Sequence, residues 1–402
     1  MEQKEKEMLK QAILQSVGEE IDKWLDKQQA ITSGYEYESE LLKTTRTVNK
    51  IILERSVGKL PGSRNEKKVH SCLGRTLIPK QHVLCQNTGR FAISSKLQEV
   101  LCLLAQGYVF EEAEEMLREL LGIAIDARQI QRVSRQYGGA VEAHIQQQAA
   151  AKVPDPVLPL KNKQEAVYAM VDNSLLLSRE EGWKEMKVGR LFNASSRAAV
   201  QQKRTEVMQS LYLCHFGDSR EFIEKWEPYL QPYAKKIILA DGAKWIWNWA
   251  EDYHPEAVQI LDYYHAVGKL GTYAALQYSD EQQRKEWMEK QTHLLKEGEV
   301  QKVISLLKES HGSSKEVEKA RADVVRYYEN NQSRMHYKHY LQQGYLIGSG
   351  AIESAHRNVV QQRLKLSGQR WSIKGAQQIV NLRACKKSNQ WNLVTQLIKS
   401  AA

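Results

Sequence analysis

Residues 165–177, EAVYAMVDNSLLL, decide the fold of this chain. The run is β-branched, aromatic and aliphatic, and it reads as a buried strand. Asp172 lies in its middle, where an unpaired carboxylate is costly. Two more strand-like runs follow, KEMKVGRLFNAS (184–195) and EVMQSLYLCHF (206–216). A helix SREFIEKWEPYL (219–230), a strand KKIILAD (235–241), a helix AKWIWNWAEDY (243–253) and a short strand AVQIL (257–261) come next. Three strands in a meander and then α/β alternation define a mixed α/β fold. Asp241 ends a strand immediately before a helix. Glu353 opens a later helix after the small-residue turn GSGA (348–351).

Outward from this core, residues 266–342 are polar, rich in lysine and glutamate, and read as an all-helical insertion. The core resumes over 343–402, with the Glu353 helix. On the other side, VPDPVLPLKNK (153–163) is a proline-rich linker, which leaves 164–265 as the first part of the core. Residues 1–62 read as a helical segment ending at the break Leu60-Pro61-Gly62. Residues 63–150 read as a hairpin around Gly74 followed by three helices, with Gly122 ending one and Asp126 capping the next.

The 402 residues carry a net charge of +10, which favours polyanionic partners through counterion release. No run of about 18 apolar residues is present, so a membrane span is not expected. The polar start MEQKEKEMLKQ lacks the apolar stretch of a secretory signal. Five irregularly spaced cysteines fit a reducing cytoplasm better than a disulfide framework.

Asp172, Asp241 and Glu353 together have a chemical rationale. Carboxylates held a few ångströms apart repel one another, whereas Mg²⁺ makes the cluster favourable. Their order (first strand, end of the strand after the meander, late helix) is the one a ribonuclease-H-like core uses to gather carboxylates. The surrounding residues carry a more specific signal. ILADGAKWIWN (238–248) with AVQILDYYHAVGKL (257–270) resembles the second catalytic block of DDE-type insertion-sequence transposases of the Mutator-like and hAT-like clade. REEGWKEMKVGRLF (179–192) resembles the segment after that family's first Asp. YLIGSGAIESAHRNVVQQRLKLSGQRWS (345–372) resembles the block around its catalytic Glu.

The resemblance implies a ribonuclease-H-like core interrupted by the helical insertion and preceded by a mainly helical DNA-binding region. It implies Asp172, Asp241 and Glu353 as ligands of Mg²⁺ or Mn²⁺, two ions in all, and Asp262 and His265 of a DxxH motif as a supporting pair. The partners implied are the element's terminal inverted repeats, target DNA and further copies of the chain in a dimer or higher oligomer. The activity implied is metal-dependent DNA cleavage and strand transfer, in the cytoplasm on the nucleoid. Two alternatives stand beside it: a transposase-derived DNA-binding regulator without catalysis, and a structure-selective nuclease of the same fold. The chain departs from the family pattern at Asn173, where the family often has glycine, and in its reduced upstream cysteine clusters.

Residues 110–137 have helix–turn–helix character, and Arg128, Arg132 and Arg135 share one helix face that could meet DNA. Arg357, Arg363, Lys365 and Arg370 form a second basic group beside Glu353, with Trp371 open to either packing or base stacking. His70, Cys72, His82 and Cys85 could bind zinc, although neither spacing is the usual CxxC.

Overall fold

The computed structural model describes residues 2–57, 66–85, 88, 91–150, 158–159, 165–201, 204–207 and 209–401. The break at 60–62 and most of the linker at 153–163 lie outside the described residues. The chain divides into two compact units, residues 1–141 with 390–402 and residues 142–389.

The first unit opens with helices α1 (Gln3–Lys27) and α2 (Gly34–Ser56), the latter capped by Ser33, whose hydroxyl accepts from the Glu36 N–H. The expected hairpin forms from β1 (Glu66–Ser71) and β2 (Gly74–Pro79), paired antiparallel. Leu53, Val57, Val69 and Ile78 bury together beneath it. Helices α3 (Ser95–Ala105), α4 (Phe110–Leu121) and α5 (Ala127–Ala150) follow. Gly122 ends α4 in the left-handed conformation, and the Asp126 carboxylate accepts from the Gln129 N–H to open α5.

The second unit is built on β3 (Ala166–Ser178), β4 (Gly182–Asn193), β5 (Arg197–Gln201), β6 (Arg204–Val207), β7 (Leu211–Phe216), β8 (Lys235–Ala240) and β9 (Val258–Leu261). Five of these strands form one mixed sheet in the order β7-β4-β3-β8-β9. β3, β4 and β7 run antiparallel, and β8 and β9 add parallel on the other side. The run expected as a third strand is divided. Arg204–Val207 pairs with β5 as a separate ribbon, and only Leu211–Phe216 joins the main sheet. The physical reason is composition: a covered sheet selects a near-continuous apolar run, which LYLCHF supplies and RTEV does not. β7 is an edge strand, and Gln377 caps it by accepting from the Phe216 N–H and donating to the Cys214 carbonyl.

Helix α6 (Ser219–Leu230) lies on the sheet and α7 (Lys244–Tyr253) follows β8. Trp226 of α6 is fully buried over Gly189 in β4, and a Cβ at Gly189 would stand 2.9 Å from its ring. Gly189→Ala is therefore expected to destabilise the unit by about 1–3 kcal/mol through overpacking. Thermal unfolding that leaves the melting temperature unchanged would contradict this packing.

The helical insertion comprises α8 (Tyr263–Gln277), α9 (Glu281–Lys296), α10 (Val300–Glu309), α11 (Lys315–Asn331) and α12 (Tyr337–Gln342). After it come α13 (Gly350–Ala355), a π-helical turn (His356–Gln361), α14 (Gln362–Leu364) and α15 (Ile373–Lys387). The last helix, α16 (Trp391–Ser400), does not belong with the core as the 343–402 boundary expected. It joins the first unit, where Trp391 and Thr395 both donate to Glu99 of α3.

Candidate active site

The sheet register lines three acids in a row, Asp172 within β3 and Asp241 and Asp262 just past the carboxyl ends of β8 and β9. Met170 of β3 pairs with Leu239 of β8, so Asp172 and Asp241, each two residues further on, stand level. Ala240 of β8 pairs with Leu261 of β9, so Asp241 and Asp262 are level as well. Neighbouring strands lie about 4.8 Å apart, which makes this row a concentrated negative edge. Carboxyl ends of parallel strands are where open α/β sheets present ligand sites.

Each acid has a distinct environment. Burial, with Asp172 beside it, holds the Asp241 carboxyl above the usual carboxylate range, although the Ala243 N–H donates to it at 3.0 Å. Gly242 follows at φ 96°, and a Cβ there would collide with Tyr327 of α11, whose hydroxyl approaches the Asp241 carbonyl. Asp262 is fully buried, and burial alone would raise its pKa. Hydrogen bonds from His265 Nδ1 (2.7 Å), the Ser349 N–H (3.3 Å) and the Tyr264 N–H (3.0 Å) outweigh that and hold it below the ordinary value. His265 is raised in turn, first by its bond to Asp262 and also by Asp241 and Asp172. The expected Asp262–His265 pair thus forms, and its imidazole lies close enough to the acid row for Asp241 and Asp172 to favour its protonated form.

Glu353 reaches this region from α13. Its exposed carboxylate accepts from the Ser349 hydroxyl at 2.9 Å, and Ser349 is the residue whose N–H meets Asp262. One turn later on the same helical face, His356 Nε2 lies 3.0 Å from Asp172 Oδ2. Glu353 is therefore bracketed between contacts to two acids of the row. It does not converge with them as expected. Among the described residues no three His, Cys, Asp or Glu side chains are gathered to hold one metal ion. Asp172 and Asp241 form a neighbouring pair, and the Ser349 hydroxyl draws Glu353 aside.

Two buried arginines hold the helix that carries Glu353 and His356. Arg190 of β4 is buried, its guanidinium 5.5 Å from the Phe192 ring centre and 5.3 Å from that of Tyr212, and it donates to the Ala351 carbonyl at 2.5 Å. Arg383 of α15 donates to the Asn358 carbonyl and to Gln362. A π turn widens the helix and displaces carbonyls from their usual partners, and Arg383 supplies donors where that happens. Arg190, Ser349, His356 and Arg383 were not assigned roles from the sequence. For His356 the signal was present, three residues after Glu353.

The model of the uncharacterised protein family UPF0236 matches residues 173–395, more than half of the chain. The chain belongs to UPF0236. No curated protein matches it. The matched stretch starts one residue after Asp172 and contains Asp241, Asp262, His265, Glu353 and His356.

In this UPF0236 chain Arg357, Lys365 and Arg370 are exposed near the Glu353 helix. Arg363 is a correction: it is only 1% exposed, its guanidinium packed 5.0 Å from the Trp371 ring centre, so it is not part of that basic surface. Trp371 is buried too and donates to the Leu364 carbonyl, so it packs. Arg128 and Arg132 are exposed, in a depression shared with Glu111, Glu114 and Asp126, whereas Arg135 is half-buried. The zinc expectation also needs correction. Cys85 donates to the Pro79 carbonyl and His82 Nδ1 accepts from the Leu84 N–H, so each serves its own turn. These four side chains form no metal-holding group.

The Asp262–His265 pair gives a pH-dependent expectation. The raised imidazole contributes stability that is complete below the ordinary histidine value near 6.5 and lost as pH climbs through its raised pKa. The depressed carboxyl contributes stability above its ordinary value near 3.8 that is lost on acidification. The pair stabilises most between those limits. In side-chain NMR His265 is expected to titrate above 6.5 in the native chain and lower in Asp262→Asn; an equal midpoint in both would refute the coupling.

Proposed function

We propose that this UPF0236 chain is a DNA transposase of the DDE type, cutting phosphodiesters and joining the freed 3′-hydroxyl to target DNA with the help of divalent metal. The observation that carries the reading is the row formed by Asp172 within β3 and Asp241 and Asp262 just after β8 and β9, with the Glu353 helix laid against it. The strand order, a three-strand meander with two parallel strands beyond the first strand, supports the reading of a ribonuclease-H-like core.

The fit to a metal rests on donor chemistry. Asp172 and Asp241 are adjacent carboxylates whose mutual repulsion contributes to the raised Asp241. One or two carboxylates with retained waters is the donor set Mg²⁺ takes. These two residues would hold it. A divalent ion, when bound, activates an attacking oxygen and stabilises the leaving oxygen of a phosphodiester. His356 stands beside the Asp172 carboxylate, and His265, bonded to Asp262, lies where Asp241 and Asp172 favour its protonated form. Exposed Arg357, Lys365 and Arg370 would hold the strand by its phosphates, and Arg128 and Arg132 would contact the element ends. Two ends must be held for joining, which calls for a dimer or larger assembly.

The test is cleavage and strand transfer on labelled DNA carrying the flanking genomic ends, with Mg²⁺ or Mn²⁺, comparing the native chain with Glu353→Gln. Cutting and joining that vanish in the variant, with end binding kept, are expected. Cutting without joining would indicate a nuclease. Binding without chemistry in both proteins would indicate a regulator, a reading favoured by the position of Glu353 on Ser349.

A further inference from the structure

We propose that a cavity of about 400 Å³ in the first unit, between α2, the β1–β2 hairpin and the end of α4, binds a phosphate group of a nucleic-acid backbone. Its wall carries Arg46, Lys50, His70 and Arg75, and among the described residues no carboxylate lines it. His70 and Arg75 are direct cross-strand partners in the hairpin. Side chains alternate along the hairpin, so its inner face (Val69, Thr76, Ile78) is buried while His70 and Arg75 share the outer one.

Arg46 is fixed in place by donating to the Glu119 and Leu120 carbonyls at the C-terminal end of α4. Gly122 lies against its side chain, where a Cβ would approach to 3.1 Å. The nearest acid to Lys50 is Glu54, at 4.0 Å, and Glu54 also accepts from Thr76. Burial and then the neighbours Arg75 and Lys68 hold His70 below its ordinary pKa. The cavity is therefore a basic pocket, and an anion held in it would favour the protonated form of His70 that burial, Arg75 and Lys68 oppose. A phosphate, with several acceptor oxygens, suits a guanidinium, an ammonium and an imidazole together.

The choice of a nucleic-acid backbone as the source rests on the DNA reading above; the anion site itself does not. Binding of the full chain to a fluorescent duplex is measured in EDTA across a salt series, so that catalysis plays no part. Lys50→Gln/Arg75→Gln, which leaves Arg46 in place, is expected to weaken binding about tenfold for any duplex sequence. It should also lower the slope of log K against log salt by about 1.8, two phosphate contacts at about 0.9 each. His70, followed by side-chain NMR, should titrate at higher pH when duplex is added. If the duplex leaves His70 unmoved but millimolar inorganic phosphate shifts it, the pocket binds a free anion and the backbone assignment is overturned. If neither shifts it and the salt slope is unchanged in a variant with native circular dichroism, the pocket is no anion site. A normal salt slope change with no metal-dependent cleavage would leave the pocket standing and count against the transposase reading alone.

Discussion

Asp241→Asn is expected to lower metal-dependent DNA cleavage by about 10³-fold or more while raising the melting temperature of the metal-free protein. The loss follows from removing one of two adjacent carboxylates, since metal assistance supplies several kcal/mol of transition-state stabilisation and each 1.36 kcal/mol is tenfold in rate. The gain has the opposite sign because Asp241 is a group whose charge the fold opposes. Burial and Asp172 raise its pKa in the native state, so its ionised form costs stability at neutral pH, a cost that disappears on acidification. Asparagine keeps the shape and an acceptor for the Ala243 N–H without that charge. Millimolar Mg²⁺ should then stabilise the native chain and not the variant, because an ion that binds only the folded state raises its stability. A variant that is inactive and also less stable would mean that Asp241 is structural. A variant that stays active would move the active site elsewhere.

Arg383→Met should reduce cleavage by about 100-fold, with a smaller effect on folding. Arg383 lies in α15, is 4% exposed, and donates to the Asn358 carbonyl within the π turn that begins at His356. Removing the guanidinium leaves that carbonyl without its donor, a cost of about 1–3 kcal/mol. Burial already lowers the Arg383 pKa, so losing the charge recovers part of that cost. Stability therefore falls only modestly. Geometry suffers more, because a displacement of about 1 Å in a positioned group can cost 10²-fold, and the π turn sets where His356 meets Asp172. Arg383→Lys keeps one donor and should recover part of the rate. The distinguishing readout is His265: its NMR midpoint should be unchanged in both variants, since the Asp262–His265 pair belongs to a different helix. A rate unaffected by Arg383→Met, with normal folding, would remove Arg383 from any positioning role.

The sequence by itself determined most strands of the main sheet, the helices between them, the helical character of the insertion and the positions of Asp172, Asp241, Asp262 and His265. These are local properties: an apolar run of strand length, an acid at its end, and an i to i+3 spacing that lets His265 reach Asp262. The Gly74 hairpin and the Asp126 cap were legible for the same reason, since turn and cap chemistry is written within a few residues.

Only the tertiary structure decided that Asp241 stands level with both Asp172 and Asp262, because register between parallel strands is set by packing across dozens of residues of intervening chain. It alone showed that Glu353 bonds to Ser349, that Arg363 is buried against Trp371, and that α16 joins the first unit through Glu99. Charge type in a sequence does not say whether a long side chain ends in solvent or folds back on a ring. Arg190 and Arg383 were invisible beforehand for the same reason: the carbonyls they satisfy lie 161 and 25 residues away and are exposed as needy only by the turn of the Glu353 helix. Local pattern fixes which elements form. Long-range burial and hydrogen bonding fix which side chains meet.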